Sequence, residues 1–317
     1  MSAGLHQPRI LEAIRAGLTG APKRLPVECF YDDLGSALFE AITLLPEYGL
    51  TRADRRLFER HAGELAALTP APLDVVELGS GSGRKTRVLL EHMAASGPVR
   101  YMPVDVSRGA LEDCAREIGR LPGVTVLPFE ALHIDGMDRA AAARRDGIPM
   151  LVLFLGSNIG NFDRAEARAF LARIRAALRP GDAALLAADL DKPEEALLAA
   201  YDDPIGVTAA FNLNALARLN RELGADFDLR RFAHQARYDR SERRVEMYLV
   251  STRRQDVRLE SLDLEVAFGE GEALWTESSY KFSPGEIARM GEEVGFRCAA
   301  EWTDEEWPFN QTLLVAR

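Results

Sequence analysis

Two kinds of apolar pattern alternate through the middle of the chain, between about residues 72 and 190. Short and almost continuously apolar runs predict buried strands, and stretches with apolar side chains at helical spacing lie between them. The runs are residues 75–78, 101–107, 124–129, 149–155 and 183–189. Runs of this kind are typical of parallel strands that are covered on both faces, so the alternation predicts an α/β fold with a doubly wound, mostly parallel sheet.

The pattern differs on either side of this region. Two stretches before it, residues 34–42 and 52–58, have helical spacing. After it comes a long helical stretch that ends near Leu223, and then three stretches that alternate like antiparallel strands. These three stretches are residues 232–238, 245–251 and 262–266. The sheet pattern then returns with a helix at 284–294 and strands at 296–302 and 311–316.

These changes predict two domains. Residues 1–191 and 284–317 would form the cofactor-binding domain, including the N-terminal helical region. Residues 192–283 would form an inserted α+β substrate domain. The chain would therefore leave the first sheet and return later to complete it.

A glycine-rich turn follows the first predicted strand. The strand carries Glu77 near its end, and Gly79, Ser80 and Gly81 come directly after it. Glycine leaves the backbone open to a ligand and tolerates a positive φ. The spacing G-x-G-x-G differs from the G-x-G-x-x-G of dinucleotide sites, and it predicts a cofactor that contains a nucleoside.

An acid also ends the second predicted strand, at Asp105. In nucleotide-binding βαβ units, an acid at this place accepts hydrogen bonds from ribose hydroxyls. The alternative is that Asp105 caps the helix beginning near Arg108, since Asp is a favoured N-cap residue. The joint occurrence of the glycine turn and the acid in one unit favours the ribose role.

Composition narrows the class of protein. The chain has 317 residues and a net charge of −10, which argues against nucleic acid or an anionic membrane as a partner. No apolar run approaches the roughly 18 residues that a membrane-spanning helix needs. The three cysteines, Cys29, Cys114 and Cys298, are widely spaced and show no metal-binding pattern. We therefore expect no metal site and a cytoplasmic location.

The glycine turn with its preceding acid resembles motif I of S-adenosylmethionine-dependent methyltransferases. Four further segments make the resemblance specific. They are residues 31–36, 45–52, 155–162 and 201–212. With residues 245–247 and 275–282, they resemble the histidine Nα-methyltransferases of ergothioneine biosynthesis. That family trimethylates the α-amino group of L-histidine to hercynine, on a Rossmann-like class I methyltransferase fold with the amino acid held between two domains.

The resemblance implies roles for individual residues. The cofactor-binding residues would be Glu77, Gly79, Ser80, Gly81, Lys85, Asp105 and Glu130, the last of them near the adenine. The substrate-binding residues would be Tyr31, Tyr48, Gly156, Asn161, Tyr201, Met247, Glu277 and Ser279. Of these, Tyr48, Gly156 and Asn161 would lie at the reacting amine. For Asn161 the alternative is a turn residue that stabilises its own loop, and for the tyrosines it is ordinary packing.

The imidazole would be bound by Glu277 and Ser279, with Met247 packed on the ring. Side chains two residues apart on a strand point the same way, so one ligand can meet both polar groups. The alternative is an edge strand with a solvated glutamate and serine. The chain departs from the family pattern at Gly49-Leu50 and at Glu130-Ala131, which concern the lid and the adenine contacts.

Two other functions remain open on the sequence. One is an N-methyltransferase of the same fold that acts on another amino acid or amine, and Glu277 argues against it. The other is a cofactor-binding protein without turnover, for which a converged amino-acid pocket has little purpose. The expected partner is a small-molecule substrate, L-histidine, and the expected state is a monomer.

Overall fold

The structure is a computed structural model that describes residues 5–69 and 71–317. In chain order, the helices are α1 (Pro8–Thr19), α2 (Asp33–Thr43), α3 (Leu50–Leu68), α4 (Arg87–Ala95), α5 (Arg108–Ile118), α6 (His133–Ala142), α7 (Arg164–Ala177), α8 (Glu194–Tyr201), α9 (Val207–Leu223) and α10 (Glu286–Glu293). The strands are β1 (Leu73–Leu78), β2 (Val99–Asp105), β3 (Val124–Val126), β4 (Phe129–Glu130), β5 (Met150–Phe154), β6 (Ala183–Asp189), β7 (Phe232–Asp239), β8 (Arg244–Ser251), β9 (Gln255–Leu259), β10 (Leu264–Phe268), β11 (Ala273–Tyr280), β12 (Phe296–Asp304) and β13 (Phe309–Ala316).

The described residues divide into two compact units. Unit 1 joins the residues up to Gly49 with Lys192–Ser279, and unit 2 joins Leu50–Asp191 with Tyr280–Arg317. The N-terminal residues therefore group with the inserted segment, whereas the sequence pattern placed them in the sheet domain. Long-range hydrogen bonds explain the grouping. The N–H of Leu25 donates to the carbonyl of Trp275 at 2.9 Å, which attaches the N-terminal segment to β11.

Unit 2 contains the predicted sheet, with the strand order β12-β13-β6-β5-β1-β2-β3 and with β4 paired to β2. The pairs among β1, β2, β3, β4, β5 and β6 are parallel, and β13 runs antiparallel to both β6 and β12. The predicted third strand is split into β3 and β4. Pro128 lies between them, and a residue without an N–H cannot donate to the ladder.

In unit 2, the helices α6, α7 and α10 cover one face of this sheet, and an apolar core lies between them and the strands. Val76 and Leu78 of β1 point into this core, together with Phe170 of α7 and Met290 of α10. Side chains alternate along a strand, so Glu77 points to the other face, where Thr86 at the start of α4 donates to it. Helices therefore cover both faces, and the carboxyl ends of β1, β2 and β5 are left to carry loops.

Unit 1 contains two small antiparallel sheets, β11-β8-β7 and β10-β9. The sequence pattern missed β9, and the strand expected at 262–266 is β10. The long helix expected before Leu223 is two helices, α8 and α9. Asp203 lies in the break, where its carboxylate accepts hydrogen bonds from the N–H groups of Val207 and Thr208 at 3.0 and 2.7 Å. A carboxylate at the first turn of α9 satisfies backbone donors that the helix itself cannot pair.

Candidate active site

A turn rich in glycine joins β1 to α4 in unit 2. The N–H groups of Gly79 and Ser80 both donate to the carbonyl of Val104, at 2.8 and 3.2 Å, so the turn is attached to β2. Gly81 has a φ of +52°, and nothing lies within 4 Å of the place where its Cβ would be. L side chains rarely adopt this conformation. A ligand can therefore approach the backbone of the turn closely.

Glu77 lies completely buried in β1, directly before this turn. Its Oε1 accepts a hydrogen bond from the Thr86 hydroxyl at 2.9 Å, and its Oε2 accepts one from the Tyr101 hydroxyl at 2.5 Å. Burial raises the pKa of Glu77 to about 7, although Lys85 and these two hydrogen bonds act to lower it. Because the carboxyl group is enclosed, its part in a cofactor site is indirect: it joins β1, β2 and the start of α4.

Asp105 lies half-buried at the carboxyl end of β2. Its Oδ2 accepts a hydrogen bond from the N–H of Gly81, and its Oδ1 accepts one from the N–H of Ser107, both at 2.9 Å. The N-cap of α5 is Ser107, whose hydroxyl accepts from the N–H of Ala110 at 3.2 Å, so the alternative that Asp105 caps this helix is wrong. A carboxylate has about four lone-pair sites, which leaves capacity for ribose hydroxyls.

Two more predicted cofactor residues lie in unit 2. Glu130 is exposed in β4, where strand pairing places it beside Asp105. Lys85 follows the glycine turn, and its Nζ lies 3.2 Å from Oδ2 of Asp54, with 26% of the side chain exposed. The ammonium group is thus held on one side by a carboxylate and is partly open on another.

The loop after β5 carries the predicted substrate residues Gly156 and Asn161. Gly156 has a φ of +69°, and a Cβ there would lie 3.1 Å from Nζ of Lys85. Asn161 ends a short 3-10 helix, Asn158–Asn161, and is half-buried. The side-chain nitrogen of Asn158 lies 3.1 Å from the place where a Cβ on Gly79 would be. The substrate loop and the glycine turn are therefore neighbours at one edge of the sheet.

A hydrogen bond to the end of β6 holds this loop in place. Ser157 has a φ of +65°, a conformation that is uncommon for residues other than glycine. Its hydroxyl accepts a hydrogen bond from the N–H of Asp189 at 2.8 Å. Asp189 in turn pairs with Nζ of Lys281 at 3.0 Å, and both side chains are completely buried. The ion pair and the hydroxyl contact support a strained backbone at the place where Asn161 is predicted to bind substrate.

The predicted tyrosines lie together in unit 1, and a phenylalanine joins them. The ring of Phe39 lies 6.1 Å from that of Tyr31 and 6.3 Å from that of Tyr48, both in edge-to-face arrangements. Tyr48 continues the series to Tyr201, at 6.3 Å. Edge-to-face pairs at these distances are favourable. The four rings therefore form one aromatic series, which we call the aromatic row: Tyr31, Phe39, Tyr48 and Tyr201.

Tyr201 connects the aromatic row to β11. Its hydroxyl donates a hydrogen bond to Oγ of Ser279 at 2.7 Å, and both side chains are buried. Its own carbonyl lies 2.8 Å from Nε2 of His234, whose Nδ1 lies 2.9 Å from the side-chain nitrogen of Asn212. An amide nitrogen only donates, so Nδ1 accepts and Nε2–H donates to the carbonyl. His234 thus fixes the backbone of Tyr201.

The other two predicted imidazole residues are placed as follows. Met247 is buried in β8, and its carbonyl accepts a hydrogen bond from the hydroxyl of Thr276 at 2.9 Å. Glu277 is half-buried in β11, and its carbonyl accepts from the indole N–H of Trp275 at 3.0 Å. The sheet β11-β8-β7 therefore carries both residues, on the same unit as Ser279.

The match to known proteins covers almost the whole chain. A family model described as histidine-specific, SAM-dependent methyltransferase matches residues 10–316. The chain belongs to this family. It is therefore an enzyme that uses S-adenosylmethionine, and its sheet is that of a Rossmann-like class I methyltransferase. The open backbone at Gly81 and the remaining acceptor capacity of Asp105 fit the nucleoside part of this cofactor.

Individual relatives refine the comparison. A protein of Mycolicibacterium smegmatis named histidine N-alpha-methyltransferase is 43% identical over 95% of this chain and 93% of its own. The ergothioneine biosynthesis protein 1 of Neurospora crassa is 30% identical over 89% of this chain, which spans 32% of that protein. An L-tryptophan methyltransferase of Psilocybe serbica is 27% identical over 94% of this chain and 90% of its own.

Two residues that contact predicted site residues, one in each unit, were not predicted from the sequence. Asp54 is completely buried in α3, yet it falls among Leu50, Ala53, Leu57 and Phe58, which form the apolar stripe of that helix. An acid within such a stripe is a signal that the sequence offers. Phe39 had no such signal, because a phenylalanine in an amphipathic helix is ordinary core.

Two absences concern the described part of the chain. None of its helices combines the length and the apolarity that a membrane span requires. Within residues 5–69 and 71–317, no three His, Cys, Asp or Glu side chains are grouped so that they could hold a metal ion.

Proposed function

We propose that this protein methylates the α-amino nitrogen of L-histidine three times and releases hercynine, as a step toward ergothioneine. The similarity to the mycobacterial histidine N-alpha-methyltransferase over nearly the full length of both chains carries this proposal. The name of the Neurospora relative supports the link to ergothioneine. The residue roles below are those expected from the sequence, and the contacts of each residue in the structure support them.

The cofactor role is assigned to the carboxyl ends of β1, β2 and β5. When it is bound, S-adenosylmethionine supplies an electrophilic methyl group on a sulfonium. The backbone of Gly81 offers a surface without side chains, and Asp105 offers lone pairs to ribose hydroxyls. Lys85 offers a cation to the only anionic group of the cofactor, its carboxylate. These groups bind and orient, which is the main contribution that a protein makes to a displacement of this type.

The substrate roles are assigned within each unit by itself: the imidazole contacts to residues of β8, β11 and α8 in unit 1, and the contacts to the amino and carboxylate groups to the loop after β5 in unit 2. Glu277 would accept a hydrogen bond from an imidazole N–H, and Ser279 would meet the other ring nitrogen. The hydrogen bond from the Tyr201 hydroxyl to Ser279 supports this role, because it joins the two hydroxyls into one polar group that could contact the substrate. Gly156 and Asn161 would hold the amino and carboxylate groups of the amino acid.

Repeated methylation places two demands on the residues around the amine. The nitrogen must be neutral at each transfer, so the site has to bind the amine in its neutral form or let the proton of the ammonium leave to water before the transfer. The product is a trimethylammonium cation, which aromatic faces bind with about 0.5–2 kcal/mol. We assign this second role to the aromatic row, in which the rings of Phe39 and Tyr48 form one series with those of Tyr31 and Tyr201.

The proposal is tested by mass spectrometry of L-histidine incubated with the protein and S-adenosylmethionine. We expect one, two and three added methyl groups in a time course, with the trimethylated species at the end, and NMR of the product should place all three on the α-nitrogen. Equimolar tryptophan in the same reaction should remain unmethylated. Methylation of tryptophan in preference to histidine, or of the imidazole ring, would contradict the proposal.

We further propose that the protein works as a monomer in a reducing, cytoplasmic compartment. Its three cysteines, Cys29, Cys114 and Cys298, are all free thiols, and burial raises the pKa of Cys29 to about 12. Sedimentation velocity tests the first part. One species of 35.0 kDa is expected, and a dimer at low micromolar concentration would contradict it.

A further inference from the structure

Asp54 is a buried carboxylate that connects two parts of the candidate site in unit 2. It lies in α3 and is 0% exposed. Its Oδ2 accepts hydrogen bonds from Nζ of Lys85 at 3.2 Å and from the N–H of Gly156 at 3.3 Å. Its Oδ1 accepts from the side-chain amide of Gln311 at 2.7 Å. Three donors therefore converge on one acid.

Burying the charge of Asp54 costs free energy, and the three hydrogen-bond donors offset that cost. An unpaired carboxylate inside a protein is strongly unfavourable, whereas a paired one with further hydrogen bonds is tolerated. An apolar residue would fill this position of α3 at no such cost. Two of the three donors, Lys85 and Gly156, belong to the predicted cofactor and substrate residues, and this suggests a role for the acid beyond folding.

The geometry around Lys85 shows what Asp54 can do. The Lys85 ammonium approaches Gly156 so closely that a Cβ there would lie 3.1 Å from Nζ. Asp54 contacts the same ammonium and the same backbone unit, so it fixes one relative to the other. Its charge also reaches Glu77, because Asp54 raises the pKa of that residue while Lys85 lowers it. Asp54 and Lys85 thus both act electrostatically on the acid that precedes the glycine turn.

We propose that Asp54 is a positioning residue for cofactor binding: it holds the Lys85 ammonium beside Gly156, where that cation binds the carboxylate of S-adenosylmethionine. This inference rests on the cofactor role proposed for Lys85 above. Asp54 itself does not touch the ligand, since it is enclosed. A lysine that is already held in place loses less side-chain entropy when the ligand arrives.

The test is calorimetric titration of S-adenosylhomocysteine into the protein without histidine, which measures binding and not turnover. Asp54→Asn keeps the size of the side chain and removes its charge, and we expect an affinity about 10- to 100-fold weaker. Lys85→Met should give a loss of similar size. The double variant should bind no more weakly than Lys85→Met alone, because one change acts through the other.

The matched control is Asp74→Asn. Asp74 is also 0% exposed, and it pairs with Arg100 at 2.6 Å and Arg145 at 2.7 Å. It lies near the start of β1, whereas the glycine turn follows the end of that strand. Asp74→Asn should lower the urea midpoint and leave the affinity for S-adenosylhomocysteine unchanged. An equal loss of affinity in both variants would make Asp54 a merely structural residue and overturn the proposal.

Two further outcomes would also overturn the proposal. One is a wild-type affinity for S-adenosylhomocysteine in Asp54→Asn. The other is a double variant whose loss of affinity equals the sum of the losses in Asp54→Asn and Lys85→Met. If Asp54→Asn does not fold, Asp54→Glu replaces it in the test. The longer acid displaces the Lys85 ammonium, so Asp54→Glu should weaken S-adenosylhomocysteine binding several-fold when Lys85 is present. It should not weaken binding further in a protein that already carries Lys85→Met. An unchanged affinity in Asp54→Glu with Lys85 present would overturn the proposal. S-adenosylhomocysteine binding is measured without histidine. The discovery of a different methyl acceptor would therefore contradict the proposed function without affecting this inference.

Discussion

The hydroxyl of Tyr101 donates a 2.5 Å hydrogen bond to the carboxyl group of Glu77, and both side chains are 0% exposed. Burial and the neighbouring carboxyl group raise the pKa of Tyr101 well above its ordinary value, so the phenol remains the donor at all physiological pH values. Burial also raises the pKa of Glu77 to about 7. This pair therefore ties the stability of unit 2 to pH.

Stability should fall as the pH rises toward neutrality because of Glu77. Its pKa is 4.5 in the unfolded chain and about 7 in the fold, so between these values the folded protein holds a proton that the unfolded chain has released. The contribution of Glu77 to the free energy of unfolding decreases over this pH window, by about 3 kcal/mol in total, and is lost above it.

Urea unfolding of wild type and Glu77→Gln at several pH values measures this contribution. The variant should lack the slope, and Glu265→Gln, on the exposed side of β10, should retain it. Parallel curves for wild type and Glu77→Gln would refute the prediction.

Asp105→Ala should weaken the binding of S-adenosylmethionine by about 1.5–3 kcal/mol, or roughly 10- to 150-fold, since hydrogen bonds to a charged group are lost. Calorimetric titration gives this value. Ser107→Ala is the matched control, because it removes the N-cap of α5 and keeps the carboxylate. The control should lower stability by about 1 kcal/mol without changing affinity. Equal affinities for wild type and Asp105→Ala would exclude Asp105 from the site.

Tyr201→Phe should raise the KM for histidine about 2- to 10-fold, since Ser279 loses the hydroxyl that donates to it and a neutral hydrogen bond contributes about 0.5–1.5 kcal/mol. Steady-state kinetics at saturating cofactor measures the change. Tyr238→Phe, in β7 and outside the aromatic row, should behave as wild type. A KM for Tyr201→Phe within error of wild type would separate this hydroxyl from substrate binding.

Glu277→Ala should reduce kcat/KM for histidine by about 2–4 kcal/mol and relax discrimination against aromatic amino acids. An indole or phenyl ring does not present the imidazole N–H to the Glu277 carboxylate, and the variant no longer selects for that donor. Competition of histidine against tryptophan and phenylalanine measures both effects, with Glu265→Ala as the surface control. Full histidine preference in Glu277→Ala would show that another residue selects the substrate.

The rate at subsaturating histidine should rise between about pH 7 and 9, because the neutral amine is the nucleophile and the pKa of the α-amino group is about 7.7–8.0 in model peptides and somewhat higher in the free amino acid. The measurement is an initial-rate series with S-adenosylmethionine saturating throughout. Isotope-labelled methyl donors can establish that methyl transfer limits the rate. A flat profile under that condition would mean that the ammonium form binds and loses its proton in the site.

The sheet of unit 2 was predictable because each strand is a separate apolar run with its own turn. β6 lies at the predicted residues, Ala183–Asp189, and the other runs differ from the observed strands by a few residues at their ends. Local breaks were harder to predict. The pattern of apolar residues continues across Pro128, although the missing N–H of the proline interrupts the strand there. The segment between α8 and α9 does contain breaking residues, Pro204 and Gly206, which the prediction of one long helix passed over.

The grouping of the N-terminal residues could not be predicted in the same way. It depends on contacts between distant parts of the chain, such as the hydrogen bond from the N–H of Leu5 to Glu222 at 2.8 Å. The same reason applies to His234, which looks like an ordinary strand residue until its ring is seen between Asn212 and the carbonyl of Tyr201. Motifs reveal the loops at strand ends, whereas supporting residues become visible only in three dimensions.

The position of β13 between β6 and β12 has a consequence during synthesis. All residues of unit 1 up to Ser279 are synthesised before β12 and β13, so unit 1 can begin to fold while the sheet of unit 2 is still incomplete. In that interval β6, which is buried along its whole length in the finished protein, has one edge without a neighbour. An exposed apolar edge invites pairing with other chains. The emerging polypeptide is therefore prone to aggregate in the interval before β13 pairs with that edge.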